Sequence, residues 1–172
     1  MTRAVFPGTF DPVTFGHLDI MHRALGLCDR LIVAVALNPE KHPVFTSEDR
    51  VRFIVESIQE DLERIEVLPF ETLLTEFAAR HQANIIIKGL RAVTDFEYEL
   101  QMGLMNRNLN DTLETVFMIP SQEYSFLSSS FVKEIARHGG DVSKMVPRCV
   151  EEGLSKISSR SSRREFKISS RR

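Results

Sequence analysis

Leu31-Ile32-Val33-Ala34-Val35-Ala36 is an unbroken apolar run rich in β-branched residues. A strand with no polar face is the kind that a parallel sheet buries on both sides. Upstream, Ala4–Phe6 begins a shorter strand and runs into Pro7-Gly8-Thr9-Phe10-Asp11-Pro12, a turn-rich stretch that neither regular element tolerates. Leu18, Met21, Leu25 and Cys28 then recur on one helical face. Downstream, Val51, Ile54, Val55 and Ile58 mark a second helix, with Thr46 as its N-cap and Glu48 and Asp49 in its first turn. Ile65–Leu68 reads as a strand, Phe70, Leu73, Leu74, Phe77 and Ala78 as a helix, and Asn84–Ile87 as a fourth strand. A helix over about Thr94–Arg107 precedes a fifth strand, Thr115–Ile119. Ser125–Ser130 leads into a helix carrying Val132, Ile135 and Ala136 that ends near Gly139-Gly140, and a last helix starts at Pro147. Strands alternating with helices predict an α/β fold with a parallel sheet and right-handed crossovers. Ligands of such sheets sit at the carboxyl ends of the strands.

The charge balance narrows the partners. The net charge is -2, but Lys156 to the end holds seven Lys/Arg and one Glu, which leaves -8 on residues 1–155. That body lacks the broad basic field a nucleic acid backbone requires, so a phosphate ligand must be held by a few placed cations. Cys28 and Cys149 are far apart in sequence and read as reduced thiols of a cytoplasmic protein. The first residues show no signal-peptide pattern, and the longest apolar run, Leu31–Leu37, falls far short of the ~20 residues that span a bilayer. A soluble single domain over 1–154 is expected, followed by a basic Ser/Arg-rich tail, 155–172, in which Lys-Ile-Ser-Ser-Arg occurs twice.

Four segments follow the ends of predicted strands. In the first, Gly8 allows a tight turn, Thr9 offers a hydroxyl, and Gly16-His17 opens a helix whose exposed N–H groups and dipole favour an anion. For that pair taken alone, a His that merely caps the helix is the plainer reading. Asn38-Pro39-Glu40-Lys41-His42-Pro43 places a Lys in a strand-end loop, where a surface Lys is the plainer reading. Lys88-Gly89-Leu90-Arg91 sets two cations around a glycine, as a phosphate site or as a solvated turn. Tyr124-Ser125-Phe126-Leu127-Ser128-Ser129-Ser130 brings hydroxyls to a helix start, where they serve an anion or the cap itself.

The first segment is similar to the T/H-x-G-H signature of the nucleotidylyltransferase superfamily. The fourth resembles that superfamily's I-S-S-S/T-x-x-R/K element, with Leu127 first and Lys133 last. Across about residues 2–154 the chain resembles the phosphopantetheine adenylyltransferase family, whose mark is Gly89-Leu90-Arg91-Ala92-Val93-Thr94-Asp95-Phe96-Glu97-Tyr98-Glu99. The resemblance implies a Rossmann-like doubly wound sheet of five parallel strands with flanking helices. It implies transfer of AMP from ATP to 4′-phosphopantetheine, giving 3′-dephospho-CoA and pyrophosphate, with Mg²⁺, in a homohexamer inhibited by CoA.

The same resemblance carries the site residues. Thr9, Phe10, His17, Gly89, Leu90, Arg91, Glu99 and the run Tyr124, Ser125, Phe126, Leu127, Ser128, Ser129 and Ser130 match ATP-binding positions. Thr9, Lys41, Leu74, Lys88, Met102, Asn106 and Glu134 match acceptor-binding positions, and the family often has Arg where this chain has Lys88. Glu99, Met102 and Asn106 are spaced to share one helix face. An acceptor phosphate is already a nucleophile near neutral pH, so the chemistry asks for positioning and for neutralisation of growing charge. His17 and Lys41 are the expected stabilisers, and Thr9 the group that orients the nucleophile. No carboxylate cluster suggests a dedicated metal site, so Mg²⁺ is expected on the nucleotide phosphates. The rival within the superfamily takes another phosphorylated acceptor, such as nicotinamide mononucleotide.

Overall fold

A computed structural model describes residues 1–37, 42–90 and 93–157, with the backbone alone at 93–95. Five strands form one sheet: β1 Arg3–Gly8, β2 Arg30–Ala36, β3 Ile65–Phe70, β4 Ile85–Gly89 and β5 Glu114–Met118. The order across the sheet is β3-β2-β1-β4-β5, and every neighbouring pair is parallel. The helices between them are α1 Phe15–Ala24, α2 Ser47–Ser57, α3 Leu74–Arg80, α4 Val93–Leu109 and α5 Ser129–Arg137. A last helix, α6, occupies 148–157.

The apolar run of β2 behaves as its composition dictates. Leu31, Val33 and Val35 join one core cluster and Ile32 and Ala34 the other, so alternate side chains serve opposite faces. The larger cluster gathers α1, α2, α5 and α6 over one face through residues such as Met21, Ile54, Val132 and Val150. The smaller one packs α3 against the other face through Phe77 and Ala78. The structure is thus a doubly wound α/β sheet. The chain lays down β1, β2 and β3 toward one edge, then returns to the other side of β1 for β4 and β5. That reversal opens a crevice between the carboxyl ends of β1 and β4.

Four sequence expectations shift. Helix α1 stops at Ala24, and Cys28 is buried in the segment after it. Phe70 closes β3 instead of opening α3, and Leu73 caps α3 with its side chain exposed. At α1 the apolar spacing ran on past a turn to buried Cys28, and at α3 it reached back to Phe70, partly buried at the end of β3. Strand β5 ends at Met118 and leaves Ile119 exposed. The compositional boundary at 154 falls inside α6, because Ile157 still packs against the core. Most of the basic tail, 158–172, lies outside the described residues.

Thr46 caps α2 by accepting from the Asp49 N–H at 3.2 Å. From that helix Arg50 turns inward and is buried, its Nη1 donating to Thr9 O at 2.7 Å and Ala36 O at 2.9 Å. One guanidinium therefore ties together the chain exits of β1 and β2. Burial pushes its pKa down while the Asp11 charge raises it.

Gly8, the last residue of β1, makes room for the Phe10 ring. A Cβ at position 8 would lie 2.8 Å from Phe10 Cζ. That ring is itself buried, edge-on to Phe6 at 5.5 Å and to His17 at 5.2 Å. Gly8→Ala is expected to lower the thermal midpoint by roughly 2–10 °C through overpacking. Calorimetry of Gly8→Ala, Phe10→Leu and the double variant checks this, with the double change costing less than the sum of the singles.

Candidate active site

At the β1/β4 crevice the chain forms an open cleft. β1 contributes Phe6, Pro7 and Gly8, β4 contributes Lys88 and Gly89, and α1 contributes Gly16, His17 and Ile20. Phe10 and Thr14 come from the loop before α1, Glu99 from α4, and Pro120, Tyr124 and Leu127 from the segment after β5.

His17 is oriented from behind. The Thr14 N–H donates to His17 Nδ1 at 3.0 Å, and Thr14 Oγ1 lies 2.9 Å from the same nitrogen. A nitrogen that accepts from a backbone N–H carries no proton, so the neutral ring holds its proton on Nε2. Thr14 and His17 thus form a capping box in which the imidazole does the work a Glu or Gln commonly does. Helix capping and ligand contact are not alternatives here: Nδ1 serves the cap while the ring lines the cleft.

The helix ends repeat that logic. α2 has Glu48 and Asp49 in its first turn, which complement its own dipole. α1 and α5 have no acid in theirs. Two helix N-termini beside the cleft therefore keep their partial positive charge for an external anion. Their sequences fold locally through short polar caps: Thr14 for α1, and Ser128, which accepts from the Phe131 N–H at 3.0 Å, for α5.

Lys88 Nζ stands 3.0 Å from Glu99 Oε2, each side chain about four-fifths buried. The contact is one of charge: Glu99 Oε2 is shut off from solvent yet, among the described residues, has no aligned hydrogen-bond donor. The cleft so brings a lysine to the end of β4 with a carboxylate as its counter-ion.

The structure disperses some expected contacts. Thr9 is not among the lining residues; its carbonyl is held by Arg50. Leu74 packs against the smaller core cluster, away from the cleft. Of the α4 face, only Glu99 lines the cleft: Met102 is partly exposed, and Asn106 is buried with its Nδ2 unpartnered among the described residues. Glu134 is exposed on α5. Within the serine run, Ser125 Oγ donates to Gln122 O at 2.9 Å and Ser129 Oγ to Pro12 O at 2.8 Å, so these hydroxyls are engaged by the fold. Leu90 follows β4 with its N–H on Met118 O, and Phe126 and Ser130 are exposed. Lys41 and Arg91 lie outside the described residues.

Sequence reasoning missed Asp11. It is buried, and its Oδ1 accepts from the Phe45 N–H at 2.9 Å. Its Oδ2 accepts from the Val44 N–H at 3.0 Å and from Lys133 Nζ at 2.6 Å. An Asp between Phe10 and Pro12 resembles turn chemistry, and only the fold brings residues 44, 45 and 133 to it.

A model of cytidylyltransferase-like proteins matches residues 5–135, a span that contains every residue lining the cleft. The chain belongs to the cytidylyltransferase-like family. The family points to a nucleotidyltransferase, and the fold is nucleotidylyltransferase-like. Among solved structures the chain is similar to a putative nicotinate-nucleotide adenylyltransferase from Vibrio parahaemolyticus, at 16% identity and a TM-score of 0.67, over 92% of this chain and 95% of that one. It is also similar to a lipopolysaccharide core biosynthesis protein from Thermoplasma volcanium GSS1, at 23% identity and a TM-score of 0.56, over 71% of this chain and 99% of that one. At such identities what is shared is the fold. Among the described residues no helix is long and apolar enough to cross a membrane.

The Asp11 contacts make a graded prediction. Asp11→Ala strands the Lys133 ammonium and two amides and should cost about 3–5 kcal/mol. Lys133→Met leaves Asp11 two amide donors and should cost clearly less. Denaturant unfolding of both variants, with equal losses, would contradict this account of the node.

Proposed function

We propose that the chain is an adenylyltransferase that joins ATP to 4′-phosphopantetheine and releases pyrophosphate. One observation carries the reading: His17, oriented by the α1 cap, and Lys88 line a single cleft between the carboxyl ends of β1 and β4. The Gly89–Glu99 stretch, which resembles the phosphopantetheine adenylyltransferase family, supports the choice of acceptor.

The acceptor phosphate attacks the α-phosphorus of ATP in line, and pyrophosphate leaves from the opposite side. No side chain forms a covalent bond. His17 donates from Nε2 to the oxygens on which charge grows, beside the α1 N-terminus, and Lys41 joins it in neutralising the leaving group. Thr9 orients the acceptor phosphate. Lys88 holds that phosphate, which competes with Glu99 for the ammonium. Lys gives a point charge where Arg would grip two oxygens, so the acceptor is held without a bidentate fork. Phe10, Gly89, Leu90, Arg91, Glu99 and Tyr124–Ser130 surround the nucleotide, and Leu74, Met102, Asn106 and Glu134 the acceptor arm. Contacts from residues now away from the cleft require the bound acceptor to extend beyond it.

Mg²⁺ suits this donor set as an ion carried in by the nucleotide. Among the described residues the one carboxylate lining the cleft is Glu99, and no three His, Cys, Asp or Glu side chains are grouped as ligands. The ion supplies charge neutralisation on the phosphates. The same reading carries cytoplasmic localisation, CoA feedback and a homohexamer, for which the exposed Tyr98, Leu104 and Met105 of α4 offer apolar surface.

A second acceptor has one observation in its favour: the likeness in fold to the Vibrio parahaemolyticus protein, whose description names a nicotinate nucleotide. Pyrophosphate release decides between them. With ATP the rate should be highest on 4′-phosphopantetheine and should fall when CoA is added; nicotinamide mononucleotide or CTP should give little. His17→Ala should lower kcat by roughly 100-fold or more with ATP affinity changed far less. A panel led by another acceptor, or a near-normal His17→Ala kcat, contradicts the proposal.

A further inference from the structure

Two residues beyond His17 on the same helix, Asp19 has no part in the chemistry above, yet it bonds α1 directly to the opposite wall of the cleft. Its Oδ1 accepts from the Ser121 hydroxyl at 2.6 Å and its Oδ2 from the Ser121 N–H at 2.9 Å. Both donors of one residue thus end on one carboxylate. One turn along, Arg23 Nη1 sits 3.2 Å from the same Oδ2 and also donates to Ile119 O at 2.8 Å. Two side chains of α1 therefore hold residues 119–121 just as the chain leaves β5.

Those residues begin the segment whose Pro120, Tyr124 and Leu127 line the cleft, facing Gly16, His17 and Ile20 of α1. The two walls are close: a Cβ on Gly16 would stand 3.4 Å from Tyr124 O. The Asp19 side chain is only 11% exposed, so its bonds are shielded from competing water. Burial acts to raise its pKa, but the Ser121 hydrogen bonds and Arg23 leave it below the ordinary value, so the contact favours the charged form.

We infer that Asp19 is a positioning residue: through Ser121 it fixes the wall formed by residues 120–127 against the helix that carries His17, and so sets the register between a bound nucleotide and the imidazole. This rests on the adenylyltransfer reading. A nucleotide lying against an unclamped wall still binds, but its α-phosphate is misplaced relative to His17. The loss then falls on turnover more than on binding, since small misplacements act on kcat.

The test combines kinetics with amide hydrogen exchange on the full chain. Asp19→Ala should speed exchange over residues 119–127 by roughly 10-fold or more, because the segment loses both Ser121 bonds. Its kcat should fall roughly 10- to 100-fold with the KM for ATP within about threefold. Asp19→Asn should restore most of kcat, since an amide accepts from the Ser121 N–H and donates to its hydroxyl oxygen. Ser121→Ala, a milder change, should shift both readouts in the same direction and serves if Asp19→Ala does not fold. Faster exchange with unchanged kcat would make the contact a tether only and overturn the proposal, as would unchanged exchange in a folded Asp19→Ala. A wild-type chain without turnover sinks the adenylyltransfer reading, and the positioning role falls with it, while the exchange result still reports whether the clamp exists.

Discussion

The carboxylate of Asp11 is where three separated stretches of chain are made to meet. It takes two backbone N–H groups from the stretch entering α2 and the ammonium of Lys133 from α5, all in a buried setting. A buried carboxylate stripped of its donors destabilises the fold, so these partners have little freedom to move. Arg50 acts beside it on the carbonyl of Thr9 and, through Ala36, on the end of β2. The loop from Thr9 to Thr14 is thus held at Thr9 and at Asp11. Phe10 adopts a left-handed backbone conformation, φ 49°, and its ring fills the space beside Gly8 and abuts His17. The cleft inherits its floor from these constraints.

On that floor lies the cleft proposed to take phosphates, inside a body carrying negative charge overall, and its positive features are local. Helix α1 leaves its N-terminus without an acidic neighbour and gives His17 Nδ1 to its own cap, which fixes the proton on Nε2. Lys88 adds one full charge, with the Glu99 carboxylate as its counter-ion. Asp19 and Arg23 extend the same economy to the far wall, using the outer side of α1 to hold what its N-terminal end must face.

Much of the fold was legible because strand and helix periods differ. The β2 run announced a doubly buried strand, and Thr46 its helix start, since both signals are local. Element ends were less so. Phe70 and Cys28 fit a helical spacing by coincidence: Phe70 is partly buried at the end of β3, and Cys28 is buried in the segment after α1. In the site, Gly16-His17 and Lys88 were visible as residues suited to phosphate at strand ends. Asp11 and Asp19 were not, because their partners, apart from Arg23 beside Asp19, lie 33 or more residues away and only the folded sheet supplies them. The serine run misled in part: its hydroxyls looked like ligand donors, but two of them serve backbone carbonyls.

Amide chemical-shift mapping with Mg²⁺ and ATP addresses the central claim directly, since it reads location without requiring turnover. Shifts concentrated at Gly8, Gly16, His17, Lys88 and Gly89 are the predicted result. Shifts gathered instead around Arg3, Arg30 and Glu66, at the amino ends of the strands, would contradict a nucleotide site between β1 and β4.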